Sequence, residues 1–158
     1  MKYLTLLFLS VAIFSCTEPK NAQDQASDQA NIGNQIQNKD YTFRARSVSP
    51  TGGRTIQLTT NYDMRVSKDS LVTYLPYFGR AYSATPGTTN SGMDFTSTDF
   101  EHTFAPRKKG GWEIKIIPKD NQDIQQMFLT VFGNGSASLQ ITSNNRQPIS
   151  YEGTIIKK

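Results

Sequence analysis

Apolar and polar residues alternate along most of the chain after Tyr41. In the first such run, Tyr41, Phe43 and Ala45 are separated by Thr42 and Arg44. A period of two places alternate side chains on one face, which is typical of an antiparallel strand with one face in a core. The alternation therefore predicts a β domain, and it recurs in residues 56–58, 62–66, 71–75, 99–104, 112–116, 137–141 and 149–155.

Turn residues separate these runs. The sequences RKKGG at 107–111 and GNG at 133–135 predict two hairpin turns, because Asn-Gly favours tight β-turns. Residues 50–53 and 144–148 predict two further turns. Residues 127–132 are apolar on both faces, which predicts a central strand covered on both sides. About eight or nine strands without a long helix indicate an all-β fold, either a single antiparallel sandwich or a partly open barrel.

A short apolar segment of 12 residues, Tyr3 to Phe14, follows Lys2 and precedes Cys16, the only cysteine of the chain. Its length suits a signal peptide, whereas a bilayer-spanning helix needs ~20 apolar residues. The string Ile13-Phe14-Ser15-Cys16 resembles a lipobox. We therefore expect a lipoprotein signal peptide at 1–15 and lipidation of Cys16. The alternative is an ordinary secretory signal with a coincidental cysteine.

Lipidation would anchor the chain to a membrane and place it in the cell envelope. Thr17, rather than Asp, follows the cysteine. By resemblance to enterobacterial sorting, this favours an outer membrane lipoprotein, on either the periplasmic or the surface face. With Cys16 modified, the rest of the chain has no thiol for a disulfide, a zinc–thiolate site or a nucleophile.

Residues 17–40 are rich in Gln, Asn, Asp and Ala and contain few large apolar residues. Such a segment buries too little apolar surface to offset its ordering entropy. We therefore expect residues 16–40 to form the lipidated cysteine and a disordered linker, with a short amphipathic helix near residues 32–36 as the alternative. We expect residues 41–158 to form one β-rich domain.

The predicted domain carries 14 Lys and Arg against nine Asp and Glu between residues 41 and 158, a net charge of +5. It contains no nucleic-acid recognition motif, so we expect no nucleic acid partner. Anionic lipid headgroups or acidic glycans are the electrostatic partners that this charge favours. The alternative is a solvated surface with a slight basic excess.

The chain offers little for catalysis. His102, its only histidine, lies within a predicted strand, and the Gly-x-Ser-x-Gly, His-Glu-x-x-His and phosphate-loop patterns do not occur. Residues 120–123 could bind calcium weakly, and Glu101 and Glu113 could form a carboxylate pair. Turn chemistry and ion pairs with lysine or arginine explain these residues more simply. We therefore predict no enzyme activity, catalytic residues, metal or cofactor.

The most distinctive segment is YLPYFGRAY at 74–82. Aromatic rings beside an arginine suit the binding of a sugar, a lipid or a partner protein. The alternative is that these rings close one end of the β fold. The following residues, 83–92, could form a flap over a pocket. The candidate ligand-binding or partner-binding residues are Tyr74, Tyr77, Phe78, Arg80, Tyr82 and Trp112.

Four strings of the domain resemble a family of small Bacteroidetes lipoproteins, domain of unknown function forty-two fifty-one. They are Tyr62-Asp63, LPYFGRA at 75–81, Asp94-Phe95, and TSNNRQPI at 142–149 before Gly153. The resemblance covers nearly all of residues 41–156 and includes the leader. It implies a β-rich envelope domain, and the family has no assigned activity that would name catalytic residues here.

Two functions follow as hypotheses. In the first, a membrane-anchored, non-catalytic envelope lipoprotein binds an apolar or glycan ligand with its β domain. In the second, the chain is a structural or interaction subunit that docks onto an outer-membrane protein complex. A wide apolar interior would favour lipid binding, and an exposed aromatic patch would favour docking.

Overall fold

The computed structural model describes residues 22–82 and 93–156. Cys16, the predicted signal peptide and the predicted flap at 83–92 lie outside the described residues. Within them, one helix precedes nine strands: α1 (Ala22–Gln37), β1 (Tyr41–Pro50), β2 (Ile56–Val66), β3 (Leu71–Tyr74), β4 (Phe95–Ser97), β5 (Phe100–Pro106), β6 (Trp112–Pro118), β7 (Ile124–Val131), β8 (Ser136–Ser143) and β9 (Ile149–Ile155).

All nine strands belong to one antiparallel sheet with the order β4-β3-β2-β1-β9-β8-β7-β6-β5. The sheet curves into a nearly closed barrel. Its two edges, β4 and β5, are consecutive in the chain and are joined by residues 98–99. The predicted all-β fold of eight or nine strands is confirmed, and the open choice is settled in favour of a barrel-shaped sheet.

The period of two places one set of side chains inside the barrel. Phe43, Met64, Leu129 and Tyr151 come from four different strands, and their side chains have no surface accessible to water. A side chain without accessible surface borders no space large enough for a water molecule. The inward side chains of the described strands therefore pack against one another, as in a well-packed protein core.

The hairpin turns lie where the sequence predicts them. The 107–111 turn is closed by hydrogen bonds from Arg107 N to Gly111 O (3.0 Å) and from Gly110 N to Arg107 O (3.1 Å). Gly111 has φ 89°, and a Cβ at this position would overlap the carbonyl oxygen of Val131 on β7. Glycine is therefore required by both the left-handed backbone and the close approach of β7.

Strand β7 corrects one detail of the sequence prediction. It lies between β6 and β8 in the sheet, but only its inward side chains are covered. Met127, Leu129 and Val131 are buried, whereas Phe128 is exposed. A single curved sheet has no second layer outside it, so the expectation of a strand covered on both faces was wrong.

Helix α1 corrects the predicted linker. The expectation of disorder over 16–40 is wrong for residues 22–37, which are helical, and Ile32 and Ile36 are buried in the barrel core. These residues are four positions apart and therefore lie on one helix face. Gly33 packs so closely on Trp112 that a Cβ would lie 2.8 Å from the indole Cζ2. The buried side chains of Ile32 and Ile36 thus attach a largely polar helix to the barrel core.

The C-terminal end of α1 has a defined cap. Lys39 adopts φ 50°, the left-handed region in which a residue other than glycine is uncommon. Asp40 N donates to Gln35 O (2.9 Å), and Lys39 N lies 3.2 Å from Ile36 O. This pair of hydrogen bonds is the Schellman arrangement, which satisfies two carbonyls at the helix end. The cap turns the chain directly into β1.

Candidate functional site

The candidate site is an open cleft of about 460 Å³ on the surface of the barrel. Residues 50–53, which comprise the last residue of β1 and the start of the β1–β2 connection, form one wall. Residues 78–80 form the other wall, and Gln147 from the β8–β9 connection completes the lining. The Phe78 side chain is 48 % exposed, and Arg80 is also exposed. The cleft therefore offers an aromatic surface, a guanidinium group and an amide.

Tyr77 supports the wall that carries Phe78 and Arg80. Its hydroxyl oxygen lies 2.9 Å from the carbonyl oxygen of Arg80 and 3.1 Å from that of Gln147, so it can donate to either. A Cβ on Gly79 would collide with the Tyr77 hydroxyl, so glycine allows the ring to fold beneath the loop. Burial raises the pKa of Tyr77, which keeps its hydroxyl protonated as a donor.

A short ladder fixes the same wall to the β8–β9 connection. Gln147 N donates to Arg80 O (3.0 Å), and Tyr82 N donates to Asn145 O (2.8 Å). Ala81 and Arg146 form the antiparallel bridge between these two bonds. These contacts hold residues 80–82 in an extended conformation next to Gln147. The position of Arg80 is therefore set by backbone hydrogen bonds rather than by a mobile loop.

Arg146 links this ladder to the barrel. Its guanidinium carbon lies 5.3 Å from the centre of the Tyr77 ring, within the range of a cation–π contact. Its Nε lies 3.4 Å from Oδ2 of Asp123, whose Oδ1 accepts hydrogen bonds from Ser143 (2.9 Å) and Asn145 (3.1 Å). Asp123 therefore supports, through Arg146, the wall of the cleft that carries Arg80.

The structure separates the other predicted site residues from the cleft. Tyr74 lies on β3 with its ring centre 5.2 Å from that of Tyr62. Tyr82 is 68 % exposed but does not line the cleft. Trp112 packs against Gly33 of α1 and does not line the cleft either. Of the six candidates, Phe78 and Arg80 lie in the cleft, and Tyr77 supports them.

The sequence analysis did not identify two parts of the cleft, the wall formed by residues 50–53 and the side-chain amide of Gln147. Residues 50–53 and Gln147 lie in segments that were predicted only as turns. They meet because Pro50 and Ile149 are partners in the β1–β9 ladder, which brings the two connections to one end of the barrel. Thr51 reinforces the approach by donating from Oγ1 to Pro148 O (2.6 Å). The pairing of the first strand with the last was the missing information.

His102 occupies a structural position on the edge strand β5. Its Nε2 lies 3.0 Å from the Tyr41 hydroxyl, and its buried Nδ1 has no hydrogen-bond partner. Burial, with a smaller contribution from Lys39, lowers the pKa of His102 to about 4. The ring is therefore neutral near pH 7.

The carboxylates near β5 and β6 form ion pairs. Glu101 lies 3.0 Å from Lys119 Nζ, and Glu113 lies 3.4 Å from Arg107 Nε. Their ladder partners are Ile117 and Ala105, so the two glutamates do not face each other. The simpler interpretation, ion pairing with a basic residue, matches this geometry.

Asp120 holds the short connection between β4 and β5 in place. Its carboxylate accepts hydrogen bonds from Ser97 Oγ (2.5 Å), Thr98 N (2.8 Å) and Asp99 N (3.3 Å), and these bonds lower its pKa. It thereby fixes the link between the edge strands β4 and β5. Among the residues that the structure describes, no three His, Cys, Asp or Glu side chains are grouped as a metal site would require. No helix in this part of the chain is long and apolar enough to cross a membrane.

The comparisons with known proteins support the fold and the family. No curated protein matches the chain. The crystal structure of a DUF4251 family protein from Bacteroides eggerthii DSM 20697 matches with a TM-score of 0.60 and 17 % sequence identity, covering 84 % of this chain and 91 % of that chain. The sequence profile of DUF4251, a domain of unknown function, matches residues 23–155. The family resemblance inferred from the sequence is confirmed over these residues, and the chain belongs to the DUF4251 family.

Proposed function

We propose that this protein is a non-catalytic lipoprotein of the outer membrane, anchored through Cys16, and that the cleft binds a glycan. The anchor is supported by the basic residue, apolar segment and lipobox-like string that precede Cys16. The glycan is supported by the composition of the cleft. The observation that supports the binding role is that Phe78 and Arg80 line one cleft together with residues 50–53 and Gln147.

The chemistry of the cleft suits a sugar. The half-exposed Phe78 ring can stack on the C–H groups of a pyranose, because the face of an aromatic ring is electron-rich. Arg80 and Gln147 supply donors for hydroxyl or carboxylate oxygens. The volume of about 460 Å³ falls within the ~300–1,000 Å³ typical of ligand sites. An open cleft of this kind suits a few sugar units of a longer glycan.

A lipid inside the barrel is the less favoured form of the ligand hypothesis. An acyl chain needs a continuous apolar channel, whereas inward residues such as Phe43, Met64 and Leu129 have no accessible surface. Accommodating such a chain would require several of these side chains to move. An external polar–aromatic cleft requires no comparable rearrangement.

The second candidate function is that of an interaction subunit. Tyr82 is 68 % exposed and Tyr74 is 49 % exposed, and both belong to the segment that the sequence singled out. Exposed tyrosines are typical of protein interfaces. A photo-crosslinker placed at Tyr82 in intact cells would yield one dominant protein adduct if this function is correct, and the absence of any adduct would argue against it.

A glycan array tests the proposed function. We expect the chain from residue 16 onward, with Cys16→Ser, to bind a subset of neutral, sialylated and sulfated oligosaccharides. Phe78→Ala and Arg80→Ala should each weaken that binding at least about tenfold, which corresponds to ~1.4 kcal/mol. Tyr82→Ala is the matched control, because it removes an exposed ring from the same segment outside the cleft. Binding that both cleft variants retain would contradict the proposal.

A further inference from the structure

A second surface of the barrel combines exposed phenylalanines with cations. Lys115 on β6 and Phe128 on β7 are ladder partners, so their side chains project from the same face of the sheet. Phe128 is 37 % exposed, and Phe132, the residue directly after the same strand, is 39 % exposed. Since the inward side chains of β7 are buried, this face is the outer face of the barrel.

The neighbouring hairpin adds positive charge to this face. The guanidinium carbon of Arg107 lies 4.8 Å from the centre of the Phe132 ring, and Lys108 and Lys109 are exposed in the same turn. Glu113 of β6 pairs with Arg107 at 3.4 Å. Across the described part of the chain, no carboxylate lies within ion-pair distance of the three lysines. We call this surface the β6–β7 patch; it comprises Arg107, Lys108, Lys109, Lys115, Phe128 and Phe132.

The course of α1 places the N-terminal side of the domain next to the patch. Gln29 reaches the tips of both hairpins, at Gly110 and Gly133. Ten residues later, Nζ of Lys39 lies 5.8 Å from the ring centre of Phe100. Phe100 is the first residue of β5, at the end of that strand away from the 107–111 hairpin. Followed from Lys39 back to Gln29, the chain thus runs along α1 towards the hairpin tips. Residues 22–28 of the same helix continue in that direction.

This direction fixes which part of the barrel an anchor would hold near a membrane. Cys16 precedes Ala22, the first residue of α1, by six positions, and so short a segment spans at most ~20 Å when fully extended. A lipid on Cys16 would therefore hold the hairpin tips, and the β6–β7 patch beside them, close to the bilayer.

We propose that the β6–β7 patch docks onto an anionic lipid surface. The lysines lie near the lipid phosphates, and the rings of Phe128 and Phe132 enter the headgroup region, as apolar residues of interfacial segments do. Docking would restrain the orientation of the anchored domain relative to the membrane. The inference uses the proposed anchor only for orientation and is independent of what the cleft binds.

Co-sedimentation with lipid vesicles tests the patch without the anchor. The probe is the chain from residue 16 onward with Cys16→Ser, which retains α1 and all nine strands and hence the shared core. We expect it to bind vesicles of equal parts phosphatidylglycerol and phosphatidylcholine at low salt. Binding to pure phosphatidylcholine should be at least about tenfold weaker, because the lysines attract anionic headgroups.

Matched charge variants separate the patch from a general basic excess. Lys108→Gln, Lys109→Gln and Lys115→Gln together should weaken binding to the anionic vesicles at least about tenfold. Lys68→Gln, Arg46→Gln and Arg54→Gln remove the same charge from exposed positions elsewhere and should change it less than about threefold. Phe128→Ser with Phe132→Ser should remove the binding that persists at high salt.

Three results would overturn the inference: no binding to anionic vesicles, equal binding to both kinds of vesicle, or equal losses in the two charge variants. Because each substituted residue is exposed, the variants should fold, and circular dichroism melting verifies this for each one. Loss of glycan binding in the cleft variants with vesicle binding intact would separate this inference from the proposed function.

Discussion

The hydroxyl oxygen of Tyr41 lies 3.0 Å from Nε2 of His102, and this contact joins the first residue of β1 to the edge strand β5. The two rings are 5.9 Å apart and tilted by 52°. Strands β1 and β5 are not neighbours in the sheet, so this side-chain hydrogen bond connects two strands that share no backbone hydrogen bonds. It is therefore a tertiary contact between two strands of the barrel that are distant in the sheet order.

This contact predicts an acid-sensitive stability. The pKa of His102 is about 4 in the folded chain, compared with 6.5 for an unperturbed histidine. Between these values the unfolded state binds a proton that the folded state does not, so the free energy of unfolding falls as the pH drops from 6.5 to 4. Above pH 6.5 the contribution is present in full. We expect a loss of about 1–2 kcal/mol, reduced by solvent screening of the partly exposed ring.

The measurement is urea unfolding at several values between pH 4 and pH 7, for the native chain and for His102→Gln. Glutamine can still hydrogen-bond to Tyr41 but does not titrate in this range. The variant should therefore show a flatter pH dependence, since only the carboxylates remain to contribute. Identical pH profiles for the two proteins would show that His102 does not contribute.

The cap of α1 predicts a stabilising substitution. Lys39 adopts φ 50°, a conformation that glycine reaches without steric cost. Lys39→Gly should therefore raise the free energy of unfolding by about 0.5–1 kcal/mol, as measured by urea denaturation. Asn38→Gly is the control, because Asn38 has no positive φ and gains nothing from glycine. Lys39→Ala removes the same contact of the lysine with Phe100 without the backbone freedom of glycine, so a Lys39→Gly variant no more stable than Lys39→Ala would show that the cap is not formed.

The packing of α1 on β6 predicts a spectroscopic change. A Cβ at Gly33 would lie 2.8 Å from Cζ2 of Trp112, the only tryptophan in the chain. Gly33→Leu should displace the indole, shift its fluorescence emission to longer wavelength and destabilise the fold by about 1–3 kcal/mol. Asn34→Leu, on the exposed side of the same helix, should leave the emission unchanged. Unaltered emission in Gly33→Leu would mean that α1 does not pack there.

The support of the cleft predicts a separable effect of one hydroxyl group. Tyr77→Phe removes the donor that lies near the carbonyl oxygens of Arg80 and Gln147. The free energy of unfolding should fall by about 0.5–1.5 kcal/mol, and glycan affinity should fall as the wall loosens. Tyr82→Phe removes a hydroxyl from an exposed ring and should change neither quantity. Equal behaviour of the two variants in calorimetry would contradict this role of Tyr77.

The strands were predictable from the sequence because their burial follows a period of two. The alternation of Tyr41, Phe43 and Ala45 is reproduced by their burial in β1, and the 107–111 and 133–135 turns lie where their glycines place them. The curvature of the sheet was not predictable, since a barrel and a sandwich bury the same side of each strand. It depends on the pairing of β1 with β9, a contact between distant parts of the chain.

The sequence analysis gave a helix only as a short alternative near residues 32–36, because the polar composition of residues 17–40 concealed two specific core residues. Ile32 and Ile36 are few among polar residues, yet both enter the core, and Gly33 between them permits close contact with Trp112. Part of the cleft was not predicted for a related reason. Phe78 and Arg80 stood out by residue type, whereas residues 50–53 and Gln147 acquire their role only through the tertiary arrangement.

The central claim is that the cleft beside Phe78 and Arg80 is the binding surface of this protein. Its most direct test is a nuclear magnetic resonance titration of the isotopically labelled chain with the strongest glycan from the array. We predict that the amide signals that shift most will be those of Gly53, Phe78, Gly79, Arg80 and Gln147. Shifts confined to Tyr74 and Tyr82 or to the surroundings of Trp112 would contradict the claim, as would an unchanged spectrum.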